Sequence, residues 1–275
     1  MNKGRKNVGL KGETSQSSDY EDEDGVKYNS TRAFDGRNDL CAHTDIESNP
    51  WWRVDLLGVY EVTSVSVTNR ESNDDKMLIG AEIRIGNSRE NNGSGNSLCA
   101  TIQSIKAGEA KVFQCDKPIK GRYVNVHLPW DRKEKQLVLC EVEICGRKKD
   151  SPLVLVKKNK TWEKAVDYCR RHYQDLASIP TDDSQVWAEL EAREANSALV
   201  WLGLRYTCTL DFWFWVSNKC FGYDNWAPGN GSREEECDMS GAMERGGEHR
   251  WVSQPDTNKF NFICEQKEKK KKMMT

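Results

Sequence analysis

The chain has 275 residues, of which 37% are hydrophobic and 31% are charged, and its mean hydropathy is −0.80. The 41 basic and 43 acidic residues nearly balance, so no global charge points to nucleic acid or to an anionic membrane as a partner. No apolar run approaches the roughly 20 residues that a membrane-spanning helix needs, and ten Trp, eight Tyr and seven Phe argue against disorder.

Ten cysteines are the strongest signal in the composition. None of their spacings is C-x-x-C, which disfavours a zinc ribbon, and an even number in a polar chain indicates disulfides and an oxidising compartment. Four N-x-S/T sequons, at Asn29, Asn92, Asn159 and Asn230, agree with secretion. The opening MNKGRKNVGLKG has no apolar signal region, so we expect a signal peptide to be missing from this chain.

Short alternating runs fill the first half of the chain. They are VTSVSVTN (62–69), AEIRIGN (81–87), AKVFQC (110–115), RYVNVHL (122–128) and LVLCEVEI (137–144). Alternation with period two and β-branched residues predicts half-buried strands. Gly, Asn and Ser separate the runs, most clearly in NNGSGNS at 91–97. Short strands without a convincing helix predict an antiparallel sandwich or barrel.

One stretch of this half is highly specific. LCAHTDIESNPWWRVDL (40–56) places His43 two residues after Cys41 and leads through two tryptophans into a strand. The other informative stretches are AFDG (33–36), TNR (68–70), GAEIRIG (80–86), GRYV (121–124) and LCEVEI (139–144). Together they resemble the F-type lectin (fucolectin) family over residues 7–146. The resemblance implies an all-β jelly-roll sandwich that binds fucose.

The F-type lectins hold fucose with a His, an Arg further along the chain and a second basic residue. His43 and Arg70 have the family's separation, with 26 residues between them. An Arg supplies a rigid fork of donors and a neutral His can donate or accept, which suits sugar hydroxyls. Ser72 and Met77 depart from the family pattern, and Lys76, one position early, is expected to substitute if its loop shifts. The alternative is an ordinary loop His and an ordinary strand-end Arg.

The resemblance also implies a structural calcium ion. The matching positions are Asp35, Glu141 and the carbonyl oxygens of Arg37 and Cys140, with Asp39 as a compensating ligand. Oxygen ligands of mixed type suit calcium. The alternative is that Asp35 caps a turn with Gly36 and that Glu141 faces solvent.

The short alternating runs end before GRKKDSP (146–152), and helical patterns follow it. We take this stretch as the domain boundary. TWEKAVDYCRRHYQDLA (161–177) predicts a helix that Thr161 can cap, and its apolar face comprises Trp162, Ala165, Val166, Cys169 and Tyr173. DDSQVWAELEAREANS (182–197) predicts a second helix, capped by Asp182 or Thr181. Trp-rich and Gly-rich stretches follow, so this half is expected to be α+β.

Residues 151–265 resemble a C-type lectin-like domain, and 266–275 are expected to be a basic disordered tail. The features that carry the resemblance are Cys169, WLGL (201–204), FWFW (212–215), YDNWAPG (223–229), Cys237, Trp251 and FNFIC (260–264). The fold class is therefore multidomain, an all-β jelly-roll sandwich plus an α+β C-type lectin-like domain.

This domain lacks the family's sugar-binding calcium motif. Calcium-binding members carry E-P-N or Q-P-D before the cysteine that corresponds to Cys237, and W-N-D after the last tryptophan. Here these positions read Asn230-Gly231-Ser232 and Trp251-Val252-Ser253. Gln254-Pro255-Asp256 spells QPD in the wrong place, which we interpret as a coincidence of letters. The acidic run Glu234, Glu235, Glu236 and Asp238 is expected to be a solvated face rather than a calcium site.

The two resemblances also imply disulfide pairs. These are Cys41 with Cys140, Cys99 with Cys115, and Cys169 with Cys264. Cys208 and Cys220 flank the FWFW segment and are expected to bridge. Cys145 and Cys237 then remain, and they could pair across the domains or link chains.

No P-loop, H-E-x-x-H or G-x-S-x-G motif is present, so an enzyme is not expected. The leading hypothesis is a secreted tandem lectin of innate-immune recognition that binds fucosylated glycans or glycoproteins. A protein ligand of the C-type lectin-like domain and a homo-oligomer are plausible partners, and nucleic acid is not. The alternative is a pseudolectin that binds proteins after losing both sugar sites.

Overall fold

The structure is a computed structural model that describes residues 11–37, 39–71, 77–129, 134–232 and 236–267. Contacts divide the chain into two units, Met1–Lys149 and Asp150–Thr275. The described part of each unit has a hydrophobic core of its own. Among the described residues, no helix is long and apolar enough to cross a membrane.

The first unit is built almost entirely from strands. They are β1 (Glu13–Gln16), β2 (Ala42–His43), β3 (Trp51–Thr68), β4 (Glu82–Gly86), β5 (Ser97–Thr101), β6 (Ala110–His127), β7 (Val138–Leu139) and β8 (Glu141–Lys148). Two short 3-10 helices, Ser30–Ala33 and Glu90–Gly93, lie between them. The main sheet has the antiparallel order β1-β3-β6-β4-β5, with β8 paired to the second half of β3, and β2 pairs with β7.

Alternation along β3 builds the core of this unit. Trp52 and Val54 are buried on one face, as period two requires. Val62 and Val65 are both fully buried although two residues lie between them instead of one, because the register to β6 and β8 shifts between Val62 and Ser64. Such a shift inserts an extra residue and returns the next side chain to the core.

The strands are longer than the sequence predicts. The segments predicted at 110–115 and 122–128 belong to one strand, β6, and β3 begins at Trp51 rather than at Val62. Pro118 lacks an N–H and would interrupt a regular ladder. It is tolerated because it lies where the β3–β6 register shifts, between the pairs Val62–Ile119 and Ser64–Gln114.

The second unit combines two helices with a mixed sheet. Its elements are β9 (Leu153–Lys160), α1 (Trp162–His172), α2 (Asp182–Ala192), β10 (Leu199–Thr207), β11 (Phe212–Trp215), β12 (Met239–Glu244), β13 (Trp251–Pro255) and β14 (Phe260–Glu265). The sheet order is β13-β12-β10-β14-β9, with β11 on β10. The pair β10–β14 is parallel and the other pairs are antiparallel. The predicted fold class, an all-β unit followed by an α+β unit, is confirmed.

Both predicted helices exist, and both end earlier than the sequence suggests. α1 buries Trp162, Ala165, Val166 and Cys169 on one face, and Tyr173 lies just past its end. Thr161 occupies the N-cap position of α1 without a side-chain hydrogen bond. In α2, Thr181 is the N-cap. Its hydroxyl accepts from the Ser184 N–H, and the Ser184 hydroxyl accepts from the Thr181 N–H, which completes a capping box.

Four disulfides are present in the described residues. Cys41–Cys140, Cys99–Cys115 and Cys169–Cys264 are the pairs that the resemblances imply, and the fourth is Cys208–Cys237. The prediction that Cys208 bridges Cys220 is therefore wrong. Cys220 is free and exposed, Cys145 is free and half-buried, and Cys237 is not available to Cys145.

Strand pairing explains the correction. Cys208 directly follows the end of β10, and Cys237 lies just before β12, which runs antiparallel beside β10. The two cysteines therefore meet at one end of the sheet, with their Cα atoms 5.5 Å apart. Cys220 follows β11, whose last residue Trp215 pairs with Leu204, so the chain has already turned away from Cys208.

Candidate functional site

His43 lies on the two-residue strand β2, opposite Val138 of β7. Its N–H donates to the Tyr28 carbonyl at 3.0 Å, and its carbonyl accepts from the Tyr20 N–H at 3.1 Å and from the Gln16 side-chain amide at 2.9 Å. Three chain segments therefore fix the backbone of this loop residue. Its side chain is buried.

Aromatic rings flank the imidazole of His43. The Tyr28 ring centre lies 4.6 Å away and the Tyr20 ring centre 6.1 Å away. Burial lowers the pKa of His43 to about 4, and the positive charges of Arg70 and Arg32 add to the effect. The imidazole is therefore neutral at neutral pH. Among the described residues, no group hydrogen bonds to its ring nitrogens, so one can donate and the other can accept from a ligand.

Arg70 follows the end of β3, where its backbone is fixed by neighbours. Its N–H donates to the Asn69 side-chain oxygen at 2.9 Å, and its carbonyl accepts from the Gly108 N–H at 3.0 Å. Asn69 is itself buried and donates to the Ile105 carbonyl at 2.8 Å. The Arg70 side chain is exposed, and within the described ranges its guanidinium has no hydrogen-bond or ion-pair partner.

Two cavities, of about 560 and 530 Å³, meet at this place. Tyr28, His43 and Arg70 line both of them. The larger also includes Asp39, Leu40, Cys41 and Glu71, and the other includes Tyr20, Asp22, Asp45, Ile46 and Gln136. The site thus combines a neutral imidazole, a guanidinium, tyrosine rings and carboxylates, a set that can bind polyhydroxylated ligands.

The structure brings His43 and Arg70 together, as the spacing predicts. Lys76, the third predicted sugar ligand, and Ser72 lie outside the described residues. Sequence reasoning missed Tyr20 and Tyr28 as lining residues, and it did not place Arg32 beside the pocket. The Arg32 guanidinium lies 4.4 Å from the Tyr28 ring centre. None of these belongs to the motif, and only the fold brings them next to His43.

Glu141 and Asp35 carry the calcium prediction. One oxygen of Glu141 accepts from the Gly36 N–H at 3.1 Å, and the other is buried without a hydrogen-bond partner. Burial raises the pKa of Glu141 to about 7, and the charge of Asp35 adds to the rise. The alternative in which Glu141 faces solvent is wrong, since its side chain is buried. A buried carboxylate beside another acid, with one oxygen unsatisfied, fits a cation.

The remaining predicted ligands fit less directly. Both Asp39 carboxylate oxygens accept from the Arg37 guanidinium, at 2.6 and 3.0 Å, so Asp39 would have to leave this pair to reach an ion. The Asp35 side chain accepts from the Arg37 N–H at 2.9 Å. Cys140 follows β7 and its N–H donates to Thr68. In the part of the chain that the structure describes, no three His, Cys, Asp or Glu residues form a metal-holding group.

In the second unit, protein groups occupy the place of the missing calcium triplets. The Asn230 side-chain oxygen accepts from the Ser253 N–H at 2.9 Å. Trp226 packs on Trp213 with ring centres 4.7 Å apart, and a side chain on Gly231 would overlap the Trp226 ring. This loop is thus closed by hydrogen bonding and aromatic packing within the protein.

The QPD letters lie at the end of β13, paired with β12. The Asp256 carboxylate accepts from the Arg205 guanidinium at 2.7 Å, and the Gln254 oxygen accepts from the Asn258 amide at 3.1 Å. Both side chains are engaged inside the fold. Asp238, from the acidic run, also pairs with Arg205, at 3.3 Å, while Glu234 and Glu235 lie outside the described residues.

Comparisons with known proteins assign both halves. The NedA-like, galactose-binding domain family matches residues 32–126, and the C-type lectin domain family matches residues 158–266. Fucolectin-4 of Anguilla japonica is 44% identical over 144 residues, which cover 50% of this chain and 78% of that protein.

The chain belongs to the fucolectin family.

A second fucolectin, from Anguilla anguilla, is 40% identical over 51% of this chain and 90% of its own. The crystal structure of a fucolectin from the serum of striped bass, Morone saxatilis, is 44% identical. It covers 53% of this chain and 48% of that chain with a TM-score of 0.47. Fucolectins and C-type lectin domains are non-enzymatic carbohydrate-binding proteins. The chain is therefore a lectin, and the prediction that it is not an enzyme is confirmed.

Proposed function

We propose that the first unit binds fucose-type glycans through His43 and Arg70, with Lys76 as a third ligand. The observation that supports this is a pair of polar groups in the pocket, a neutral imidazole and a guanidinium, neither of which has a hydrogen-bond or ion-pair partner among the described residues. Both line the same two cavities. The similar fucolectins and the fucose pattern of the sequence support fucosylated glycans and glycoproteins as the ligand class.

The test is titration calorimetry of the full chain with L-fucose. Arg70→Ala removes a charged donor, which costs about 1.5–3 kcal/mol and so more than about tenfold in Kd, whereas His43→Ala removes a neutral group, which costs about 0.5–1.5 kcal/mol and so about two- to tenfold. Arg89→Ala is the matched control, because Arg89 is exposed and lines neither cavity. Equal affinity in all three variants, or no heat from the folded wild type at millimolar fucose, would contradict the proposal.

We also propose that Ca²⁺ stabilises this unit through Glu141, Asp35 and the carbonyl oxygens of Arg37 and Cys140. When bound, the ion would supply a positive charge that compensates the negative charge of the buried Glu141 carboxylate. A carboxyl whose pKa is raised stabilises the fold below its ordinary value near 4.5, and this contribution is lost as the pH rises through about 7. Calcium is therefore expected to matter most at and above neutral pH.

Thermal unfolding at pH 8 tests this site. Addition of Ca²⁺ to chelator-treated protein should raise the unfolding midpoint of the wild type and not that of Glu141→Gln. Glu143→Gln is the matched control, since Glu143 lies two residues along the same strand and is exposed. If Ca²⁺ raises the midpoints of all three proteins equally, Glu141 is not a ligand. Asp39→Asn tests whether Asp39 joins the site.

The disulfides support a secreted, extracellular protein, because such bonds persist in oxidising compartments. We also propose an innate-immune role and a homo-oligomer, as the resemblance implies. An oligomer would let weak sugar sites act together through avidity. Sedimentation equilibrium of the purified chain, with and without Ca²⁺, checks the oligomer directly.

Exposed apolar side chains favour a second candidate function, a protein ligand for the C-type lectin-like unit. Leu210, Phe212 and Phe221 are 66%, 45% and 43% exposed. This function requires that the chain bind a protein and that neither fucose nor a chelator weaken this binding. If calorimetry also shows no heat on titration with L-fucose, such binding would indicate the pseudolectin.

A further inference from the structure

The four sequons of the chain lie in different environments. Asn29 is exposed just before the 3-10 helix Ser30–Ala33, Asn92 is exposed within the 3-10 helix Glu90–Gly93, Asn159 is exposed near the end of β9, and Asn230 is half-buried in the loop before β12. N-glycans require an exposed amide in a surface segment, because the attached sugar is bulky. The contacts of the amide nitrogen therefore distinguish Asn29 from Asn230.

Asn29 has the most favourable arrangement. Its side-chain oxygen accepts from the Thr31 hydroxyl at 2.6 Å and from the Thr31 N–H at 3.2 Å, and it caps the 3-10 helix Ser30–Ala33. The hydroxyl of the sequon thus already contacts the asparagine amide. Within the described residues, the Asn29 Nδ2 has no partner, so attachment of a sugar there breaks no hydrogen bond.

Two other sequon asparagines are also held by the fold, Asn230 through its amide nitrogen and oxygen and Asn159 through its oxygen. At Asn230, Nδ2 donates to the Pro228 carbonyl at 3.3 Å while the oxygen accepts from Ser253. At Asn159, the oxygen accepts at 2.7 Å from Asn261, which is fully buried. A glycan at Asn230 would lie within the loop that the contacts of Asn230 with Pro228 and Ser253 close.

We propose that Asn29 carries an N-linked glycan that borders the sugar pocket. The inference rests on the proposed passage through a secretory pathway. Nδ2 of Asn29 forms a bond to the anomeric carbon of the first sugar, and the bond from that carbon to the diphosphate of a lipid-linked oligosaccharide donor breaks. The lipid diphosphate leaves, and the amide loses one proton to the transferase.

Position gives this glycan a function. Asn29 is one residue from Tyr28, which lines both cavities. A flexible oligosaccharide at Asn29 reaches the mouth of the pocket and hinders bulky glycoconjugates more than a free monosaccharide. Enzymatic removal of the glycan should therefore increase binding to an immobilised fucosylated glycoprotein several-fold and leave the Kd for L-fucose unchanged. Unchanged binding of the glycoprotein would overturn this shielding role.

Mass spectrometry of the full chain, secreted from a eukaryotic host behind an added signal peptide, tests the attachment. The Asn29 peptide should carry a glycan in the wild type and in Thr31→Ser, which keeps the sequon. It should be unmodified in Thr31→Ala. Treatment with peptide N-glycosidase should convert Asn29, and not Asn230, to aspartate.

The wild-type result decides the proposal even if a variant fails to fold. An unmodified Asn29 in secreted protein overturns it, whether Asn92 is occupied or empty. Occupancy of Asn29 with no binding of L-fucose would instead contradict the proposed sugar site and leave the attachment intact. The two proposals can therefore fail separately.

Discussion

Single residues of the first unit show how burial selects a charge state. His43 and Glu141 are both buried, and in each case burial favours the neutral form. For His43 the neutral form keeps both donor and acceptor capacity for a sugar. For Glu141 it marks a place where a bound cation would restore the charged form.

We expect the imidazole of His43 to titrate near pH 4 when followed by NMR. A depressed histidine pKa contributes stability that is present above the ordinary value of 6.5 and is lost as the pH falls through about 4. Arg70→Gln should raise the pKa, because it removes a positive charge near the ring. A midpoint near 6.5 in the folded wild type would contradict the burial of His43.

The ion pair between Asp55 and Arg122 provides a second prediction at this scale. The Arg122 side chain is 1% exposed, and its guanidinium donates to both Asp55 oxygens, at 2.9 and 2.7 Å. Asp55→Asn removes the bidentate carboxylate partner of a buried guanidinium and should lower the free energy of unfolding by about 3–5 kcal/mol. Glu109→Gln, which breaks an exposed pair with Lys106, should cost at most about 1 kcal/mol. Urea denaturation of both variants checks the contrast.

At the scale of elements, alternation predicts the strands well and their ends poorly. The segments 81–87 and 137–144 contain β4, β7 and the first half of β8, because one face of each packs on the core. The join of two segments into β6 could not be predicted, because Pro118 and its charged neighbours break the pattern. A register shift tolerates that break, and register depends on the partner strand.

The residues of the candidate site also divide into those that the sequence predicts and those that only the fold reveals. His43 and Arg70 follow from a spacing in one motif, whereas Tyr20 and Tyr28 reach the pocket through backbone hydrogen bonds to His43. Those bonds have no signature in the side-chain pattern. The Cys208–Cys237 pair was missed for a similar reason, since it depends on how β12 returns beside β10.

Thiol mapping should establish the cysteine pairing. Under non-reducing, denaturing conditions we expect alkylation of Cys145 and Cys220 only, and in the native protein Cys220 should react faster because it is exposed. Proteolysis should release one peptide pair that joins Cys208 to Cys237. Removal of this bridge, which spans 29 residues, should cost about 3–4 kcal/mol by loop-closure entropy. Recovery of a Cys208–Cys220 peptide would refute the assignment.

At the scale of the whole molecule, the described disulfides each fall within one unit, and each unit buries aromatic and aliphatic side chains around its own sheet. Units of about 150 and 125 residues are of ordinary domain size. Both therefore have what independent folding requires.

Fragments 1–149 and 150–275 test this independence. Each should fold after oxidation and unfold with the midpoint of the corresponding transition of the full chain in calorimetry. Fragment 1–149 should also keep the L-fucose affinity of the full chain, because the residues that line both cavities belong to it. Failure of either fragment to fold, with the full chain intact, would show that the units depend on each other.

The long strand β3 has a consequence for how variants of this protein can be screened. β3 pairs with β1, β6 and β8, and Arg70 lies two residues beyond its end. A slip of one residue in register would turn the core face of β3 outward and displace Arg70 from the pocket. If the proposed site binds fucose, retention on a fucose column would therefore also report the integrity of this sheet. Libraries of core variants could be sorted by sugar affinity instead of by spectroscopy.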